Sequence, residues 1–295
     1  MNYYQAFSSR IASPWTLNLP SVVSADSAEL TFFQDNSLKL DYPLPYTLGK
    51  ITYGTFGDNV GVHIPWVGDF EIRGSDSIAL KPQPEATSES IALYFTGLIL
   101  GFQLRQKKLI TFHGSAVVTP KGALIFTGDQ GAGKSTTAAA FSQKGFPMLC
   151  DDVVPVTQGP WVHPGIPRPK LLPDAFEKLI GDPNLAGHLW DGVDKFQVDL
   201  PSQSDPQKLR GVLLLVPDTA CGTVTSRQIK GMNKFSLLLT HLQSISGLDR
   251  PEILFSRLGE WMANVPVFEI RRPLQGDHLN SVLNEISRLM NKELL

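Results

Sequence analysis

The segment GDQGAGKS, Gly128–Ser135, constrains the fold more than any other part of the chain. It fits the pattern G-x-x-x-x-G-K-[ST] and lies between the apolar run GALIFT and the alanine-rich run KSTTAAAFSQKG. The first run is typical of a buried strand and the second of a helix of about three turns. A strand, a glycine-rich loop and a helix in that order form a phosphate-binding loop. The sequence therefore predicts an α/β fold with a nucleotide at this loop.

Each residue type in the loop has a physical task. The glycines permit a tight turn whose backbone N–H groups point at phosphate oxygens, and the helix N-terminus adds positive potential. Lys134 places a cation on the β- and γ-phosphates, and Ser135 is a candidate magnesium ligand. We expect ATP and Mg²⁺ as cofactors, with the nucleotide contacting Gly128, Asp129, Gln130, Gly131, Ala132, Gly133, Lys134, Ser135 and Thr136.

Composition excludes several classes of protein. The formal net charge is −2, which does not suggest a nucleic-acid or membrane surface. The two cysteines, Cys150 and Cys221, make no disulfide framework or zinc motif and favour a reducing compartment. The N-terminus lacks the pattern of a signal peptide, and the most apolar run, Ile91–Phe102, is too short to span a bilayer. We therefore expect a cytoplasmic protein.

The chain divides by pattern into two regions. Residues 1–85 read as a β-rich N-terminal region of short alternating runs, including ELTFFQ and SLKLDY. Residues 86–295 read as the catalytic domain, which begins with a helix over 87–107. There, KKLITFHGSAVV and ALIFTG predict an antiparallel hairpin, because the connecting turn is too short for a crossover. A Pro- and Gly-rich stretch at 157–205, with a helix near 174–180, resembles a substrate-binding insertion.

Two aspartates follow the loop closely. Asp151 and Asp152 lie 17 and 18 residues after Lys134, which leaves room for one helix and a returning strand. The pair is therefore expected near the phosphates, with the two side chains facing opposite ways. One can approach the metal or the acceptor hydroxyl while the other holds the local structure. The simpler interpretation is a pair of solvated residues at a strand end.

His113, taken alone, is most simply a structural histidine. Together, however, HGSAVV, GALIFTGDQGAGKS and KGFPMLCDD resemble the catalytic domain of HPr kinase/phosphorylase over about 45 residues. That family carries a histidine–glycine start, a G-D-x-G-x-G-K-S loop and paired aspartates at corresponding spacing. The resemblance implies a phosphate-loop kinase core of the HPr kinase/PEP carboxykinase type. The β-rich front and the PGIPR stretch at 164–168 look closer to stand-alone members, some of which phosphorylate a serine of a lasso-peptide precursor.

The resemblance also implies roles for individual residues. Lys134 looks like the phosphate lysine, Ser135 and Asp152 like metal ligands, and Asp152 also like the general base. His113 looks like the active-site histidine, with Asp151 as the supporting neighbour of Asp152. Arg210 is the best-placed match to a catalytic arginine before a late strand.

One part of the family pattern is missing. The later signature that supplies a metal-binding glutamate is not recognisable, and HPGIPRPKLLPDAFEKL stands in its place. Glu177 has roughly the right separation but falls in a predicted helix and is expected on the surface. Arg168, Lys170 and Lys195 are basic candidates for phosphates or a substrate carboxylate.

These features together predict an ATP-dependent kinase that phosphorylates a hydroxyl, with a serine of a protein or peptide as the acceptor. A small-metabolite kinase of the shikimate or gluconate kinase type and a non-catalytic nucleotide-binding regulator remain alternatives. Because the related kinases are oligomeric, the resemblance hints at a homo-oligomer.

Overall fold

The computed structural model of the chain describes residues 1–23, 28–157, 159–182, 186–188, 195–242, 245, 247–249 and 251–294. The fold is mixed α/β and consists of two compact units. The first comprises Met1–Ile110 with Ser244–Leu254, and the second Thr111–Gln243 with Phe255–Leu295. Among the helices of these described segments, none is long and apolar enough to cross a membrane.

The first unit contains an eight-stranded sheet in the order β1-β2-β3-β8-β7-β6-β5-β4. Its strands are β1 (Asn2–Ala6), β2 (Ser9–Ser13), β3 (Leu30–Gln34), β4 (Tyr46–Leu48), β5 (Ile51–Phe56), β6 (Asn59–Ile64), β7 (Gly68–Arg73) and β8 (Ser77–Pro82). The prediction of a strand at SLKLDY was wrong. Asp35 Oδ1 accepts hydrogen bonds from the backbone N and the hydroxyl of Ser37, which turns the chain there.

The helical segment that follows also belongs to the first unit. It consists of α1 (Ser88–Tyr94), a π-helical turn (Phe95–Ile99) and α2 (Leu100–Gln106). Phe95 stacks on Phe32 at 4.1 Å between ring centroids, and Phe102 meets Tyr53 edge-on at 5.0 Å. Because these rings pack the helical segment on the sheet, the contacts divide the chain at Ile110, whereas the sequence placed the boundary near residue 86.

The second unit is built on a seven-stranded sheet in the order β10-β9-β11-β12-β16-β18-β17, in which β10 also pairs with β16. The strands are β9 (Ile110–Thr119), β10 (Gly122–Thr127), β11 (Met148–Val156), β12 (Trp161–Val162), β16 (Gln207–Asp218), β17 (Thr225–Ile229) and β18 (Val267–Pro273). The predicted hairpin is confirmed, since β9 and β10 pair antiparallel from Thr119↔Gly122 to Thr127↔Gly114. Strands β10, β16 and β18 run parallel and are mostly buried, which explains their nearly continuous apolar sequences.

The helices of this unit are α3 (Lys134–Gln143), α4 (Pro173–Leu179), α5 (Gly231–His241), α6 (Pro251–Asn264, from Phe255 onward) and α7 (Leu279–Leu289), followed by a π-helical turn (Met290–Leu294). Phe126 of β10, Phe141 of α3 and Ile286 of α7 belong to one buried cluster. The loop helix α3 is therefore held firmly against the sheet.

The Pro- and Gly-rich stretch forms part of this unit. It contributes a small sheet of β13 (Lys170–Leu171), β14 (Ala186–His188) and β15 (Phe196–Val198), as well as α4. Leu171, Phe176 and Val198 are buried in one cluster with Ala139 of α3. This stretch thus packs directly on α3, the helix that follows the loop at Gly128–Ser135.

Candidate active site

The loop between β10 and α3 has the backbone conformation that its glycines permit. Gly128, Gly131 and Gly133 have φ angles of 143°, 81° and 97°, a region that strains other residues. A Cβ at Gly128 would also lie 2.5 Å from the carbonyl oxygen of Leu215 on β16. The sequence pattern therefore reflects a real steric requirement at the end of β10.

Lys134 begins α3, and its ammonium group turns back over the loop. Its Nζ donates hydrogen bonds to the carbonyl oxygens of Gly128, at 2.9 Å, and of Asp129, at 3.0 Å. Burial lowers the pKa of Lys134, while the charges of Asp151 and Asp152 oppose that shift. The lysine is thus a partly desolvated cation in the electrostatic field of the paired aspartates.

Asp151 is buried beside the start of α3. Its Oδ1 accepts a hydrogen bond of 2.5 Å from the Ser115 hydroxyl of β9, and its Oδ2 accepts one of 3.1 Å from the Ser135 hydroxyl. Burial raises the pKa of Asp151, and the two hydroxyl hydrogen bonds work against that increase. Asp151 therefore ties strand β9, strand β11 and the loop helix together.

Asp152 faces the other way and is about half exposed, with a side-chain exposure of 45%. Its Oδ1 lies 3.3 Å from His113 Nδ1, and its Oδ2 lies 2.8 Å from Lys170 Nζ. The hydrogen bond with His113 and the charge of Lys170 hold the pKa of Asp152 well below its ordinary value. Its φ of 71° is a left-handed backbone conformation within a strand, which is uncommon for a residue other than glycine.

His113 reaches Asp152 because β9 lies beside β11 in the sheet. The residue after His113 must be a glycine for steric reasons, because a Cβ at Gly114 would lie 2.4 Å from the carbonyl oxygen of Phe126. The Thr127 hydroxyl also donates a 3.0 Å hydrogen bond to the His113 carbonyl oxygen. The histidine–glycine pair is thus fixed to β10, the strand that leads into the loop at Gly128–Ser135.

The geometry pairs the magnesium candidates differently from the sequence analysis. The Ser135 hydroxyl contacts Asp151, whereas the sequence analysis grouped Ser135 with Asp152. Within the residues that the structure describes, no group of three or more His, Cys, Asp or Glu side chains is placed to hold a metal. Ser135 and Asp151 do provide two adjacent oxygen donors, and Mg²⁺ at phosphates commonly takes only one or two carboxylates from the protein.

Arg210 does not lie at this site. Its Nε donates to the carbonyl oxygen of Lys121, at the start of β10, whereas the loop follows the end of β10. Since strands rise about 3.3 Å per residue, β10 separates Arg210 from the loop by roughly 15–20 Å. Arg210 lies near the start of β16, at the edge of the parallel strands opposite the loop at Gly128–Ser135, so the structure gives no support for a catalytic role.

The remaining basic candidates are distributed along the Pro- and Gly-rich stretch. Arg168 forms an ion pair with Asp199, and Lys170 forms one with Asp152. Lys195 lies close enough to Lys134 to lower its pKa. Glu177 is exposed on α4, as the sequence predicted.

Sequence reasoning missed two residues near the loop. One is Ser115, the partner of Asp151 described above. The other is His241 at the end of α5, whose neighbour Leu242 pairs with Phe112 of β9 in an isolated bridge. Burial lowers the pKa of His241, and its ring interacts electrostatically with Asp129, Lys134 and His113. No local motif marks His241, because its position depends on long-range packing.

A cavity of about 510 Å³ opens beside the loop at Gly128–Ser135. Its lining includes Gly131 and Thr136 of the loop and α3, Ala175 and Lys178 of α4, and Arg272 and Leu279 of β18 and α7. Lys178 forms an ion pair with Asp277, another lining residue. The cavity has the volume of a typical small-molecule site.

Comparison with known proteins gives little further information. No protein-family model matches the chain, and no curated protein matches it. One solved structure that it resembles is the HPr(Ser) kinase/phosphatase from Coxiella burnetii, with 15% sequence identity and a TM-score of 0.31. That match covers 62% of this chain and 97% of that chain.

Proposed function

We propose that the protein is an ATP-dependent phosphotransferase that moves the γ-phosphoryl group to a hydroxyl, with a serine of a protein or peptide as the acceptor. The observation that supports it most is Asp152. Its carboxylate is half exposed, is fixed by His113 and Lys170, and interacts electrostatically with the loop lysine. A carboxylate in this position can receive an acceptor hydroxyl close to phosphates held by the loop.

The loop and the cavity suggest how ATP is bound. The N–H groups of residues 128–136 and the positive end of α3 would hold the polyphosphate. The Lys134 ammonium would exchange its hydrogen bonds with two loop carbonyls for contacts with the β- and γ-phosphates. The 510 Å³ cavity shares Gly131 and Thr136 with the loop, and it is the natural place for the nucleoside.

Ser135 and Asp151 would hold Mg²⁺, since their oxygen atoms are 3.1 Å apart at the start of α3. When bound, the cation would supply charge that neutralises the phosphates. The Ser115 hydroxyl keeps the second oxygen of Asp151 occupied, which fixes the direction of the carboxylate. Asp151 therefore takes the metal-side role, and Asp152 takes the acceptor side.

In the transfer step, the acceptor oxygen attacks the γ-phosphorus and forms a new O–P bond. The bond between the γ-phosphorus and the β–γ bridging oxygen breaks, and ADP leaves with that electron pair. The hydroxyl proton passes to Asp152. The lowered pKa of Asp152 makes its carboxylate a weak base. A weak base suits a loose transition state, in which the proton moves late and the orientation of the acceptor hydroxyl matters most.

The acceptor class derives from the sequence resemblance, since the family it points to phosphorylates serine. A peptide natural-product precursor, a cytoplasmic location and a homo-oligomeric state belong to the same proposal. The half-exposed side chains of Asp152 and His113, at 45% and 44%, are compatible with a macromolecular acceptor because they are open to solvent.

Intact-mass screening tests the proposal. Purified protein with Mg-ATP is incubated with serine-containing peptides, and separately with small alcohols, and we expect a gain of one phosphoryl group on a peptide. Asp152→Asn should reduce transfer by about 10²-fold or more, the lower range for losing a general base. Asp199→Asn, which removes an exposed aspartate paired with Arg168, should leave transfer unchanged.

Other outcomes would replace the proposal. Transfer to small alcohols alone would indicate a metabolite kinase. Tight ATP binding with neither transfer nor hydrolysis would indicate a regulator, and transfer unaffected by Asp152→Asn would remove Asp152 from the mechanism.

A further inference from the structure

Lys170 contacts both aspartates of the pair. Its ammonium lies 2.8 Å from Asp152 Oδ2, and its backbone N–H faces Asp151 Oδ2 at the longer distance of 3.4 Å. The residue comes from β13 in the Pro- and Gly-rich stretch, 18 positions after Asp152 in sequence. The two aspartates of β11 and the lysine of β13 therefore form one cluster of charged side chains.

The position of Lys170 is determined by its surroundings. The next residue, Leu171, is fully buried against α3, so the alternation of a strand points Lys170 toward the site. The chain leading to β13 follows β11 through the hydrogen bonds Gly165 N to Leu149 O, at 3.0 Å, and Asp151 N to Ile166 O, at 2.8 Å. Lys170 is consequently held in place from both sides.

Asp152 needs such a partner more than an ordinary surface aspartate does. Its left-handed φ of 71° is strained, and its side chain is solvated on one face. The charged and titratable groups around it are His113 from β9, Lys170 from β13, Lys134 from α3 and its own neighbour Asp151. Of the two cationic lysines, Lys170 is the one whose ammonium touches the Asp152 carboxylate.

We infer that Lys170 is a positioning residue for phosphoryl transfer: its ammonium fixes one carboxylate oxygen of Asp152 and thereby directs the other oxygen to the acceptor hydroxyl. The inference rests on the proposed function, because it assigns Asp152 the acceptor side of the site. Lys170 acts through Asp152, so its loss should slow transfer without weakening nucleotide binding. A lysine that bound the phosphates directly would weaken both.

The test measures steady-state phosphate release from Mg-ATP with water as the acceptor, and binding of Mg-ADP by calorimetry. In Lys170→Met we expect kcat to fall about tenfold or more, as for residues coupled in direct contact, while KM for ATP and Kd for Mg-ADP stay within about twofold. Lys170→Arg keeps the charge and should recover most of the lost kcat. Lys208→Met, at an exposed lysine on β16, is the matched control and should behave as wild type.

Several outcomes would overturn the inference. An unchanged kcat in Lys170→Met, or an equal loss in Lys170→Arg, removes the positioning role. A Kd for Mg-ADP that rises in parallel with the loss of kcat assigns Lys170 to the phosphates instead. If Lys170→Met lowers the melting temperature, Lys170→Gln, of similar length and polarity, takes its place in the comparison. A wild-type protein that neither hydrolyses ATP nor transfers phosphate refutes the proposed function itself, and this inference with it.

Discussion

Gly128→Ala should lower the free energy of unfolding much more than Gly131→Ala, although both glycines belong to the same loop. At Gly128 two costs combine. The φ of 143° strains an alanine by about 1–3 kcal/mol. Its Cβ would also lie 2.5 Å from the Leu215 carbonyl oxygen, and relieving such overpacking costs about 1–3 kcal/mol more. The middle of these ranges gives a loss of about 4 kcal/mol in the free energy of unfolding.

Gly131 provides the matched control. Its φ is 81°, but a Cβ there has no neighbour within 4 Å, so only the backbone cost of about 1 kcal/mol remains. The expected difference of about 3 kcal/mol corresponds to roughly 6–12 °C in Tm, at about 2–4 °C per kcal/mol for a domain of this size.

Thermal unfolding followed by circular dichroism, together with Mg-ATP titration calorimetry, measures both possible responses of Gly128→Ala. If the loop stays in place, Tm falls. If the loop moves to relieve the contact, Tm is preserved and ATP affinity is lost. A Gly128→Ala protein with both the Tm and the ATP affinity of wild type would refute the steric reasoning.

Three further predictions follow from the site and its surroundings. Arg210→Met should leave phosphoryl transfer unchanged, since Arg210 bonds the Lys121 carbonyl far from the loop, and a loss of kcat would show that this placement is wrong. Ser115→Ala removes a 2.5 Å hydrogen bond to the buried Asp151 and should lower the free energy of unfolding by about 1.5–3 kcal/mol in urea denaturation, whereas Ser37→Ala on the surface should cost less. His241→Gln should reduce the fall in Tm between about pH 7.5 and about pH 5.5. Burial lowers the pKa of His241 in the folded protein, whereas in the unfolded chain the histidine keeps its ordinary pKa of 6.5. Below that pH the unfolded chain therefore binds more protons than the folded protein, and acid destabilises the wild type. An equal fall in Tm in both proteins would exclude His241 as a source of that acid sensitivity.

The conformation of the loop at Gly128–Ser135 was predictable from sequence because its requirements are local. The three positive φ angles of the loop fall on its three glycines. The strand before the loop and the helix after it follow from the residue types within those two segments. The β9–β10 hairpin was predictable for a similar reason, since the turn between Thr119 and Gly122 leaves no other way to join the strands. The paired aspartates were expected near the loop, and the structure places them there.

The parts that escaped prediction depend on long-range packing. The contact between Lys170 and Asp152 requires the Pro- and Gly-rich stretch to lie along β11, and nothing in its composition specifies that. Arg210 was chosen from sequence order alone, but it lies near the start of the parallel strand β16, at the edge of the sheet away from the loop. The division at Ile110 likewise depends on aromatic rings of the α1–α2 segment meeting a sheet formed earlier in the chain.

The left-handed backbone of Asp152 has a consequence for how the protein can be altered. Glycine adopts this conformation without strain, whereas alanine at position 152 would cost about 1–2 kcal/mol. Both substitutions also remove the ion pairs with His113 and Lys170, which stabilise the folded protein as long as the carboxylate is ionised. Glycine and alanine variants should therefore lose phosphoryl transfer equally but differ in melting temperature, which separates what the backbone of this residue requires from what its side chain contributes.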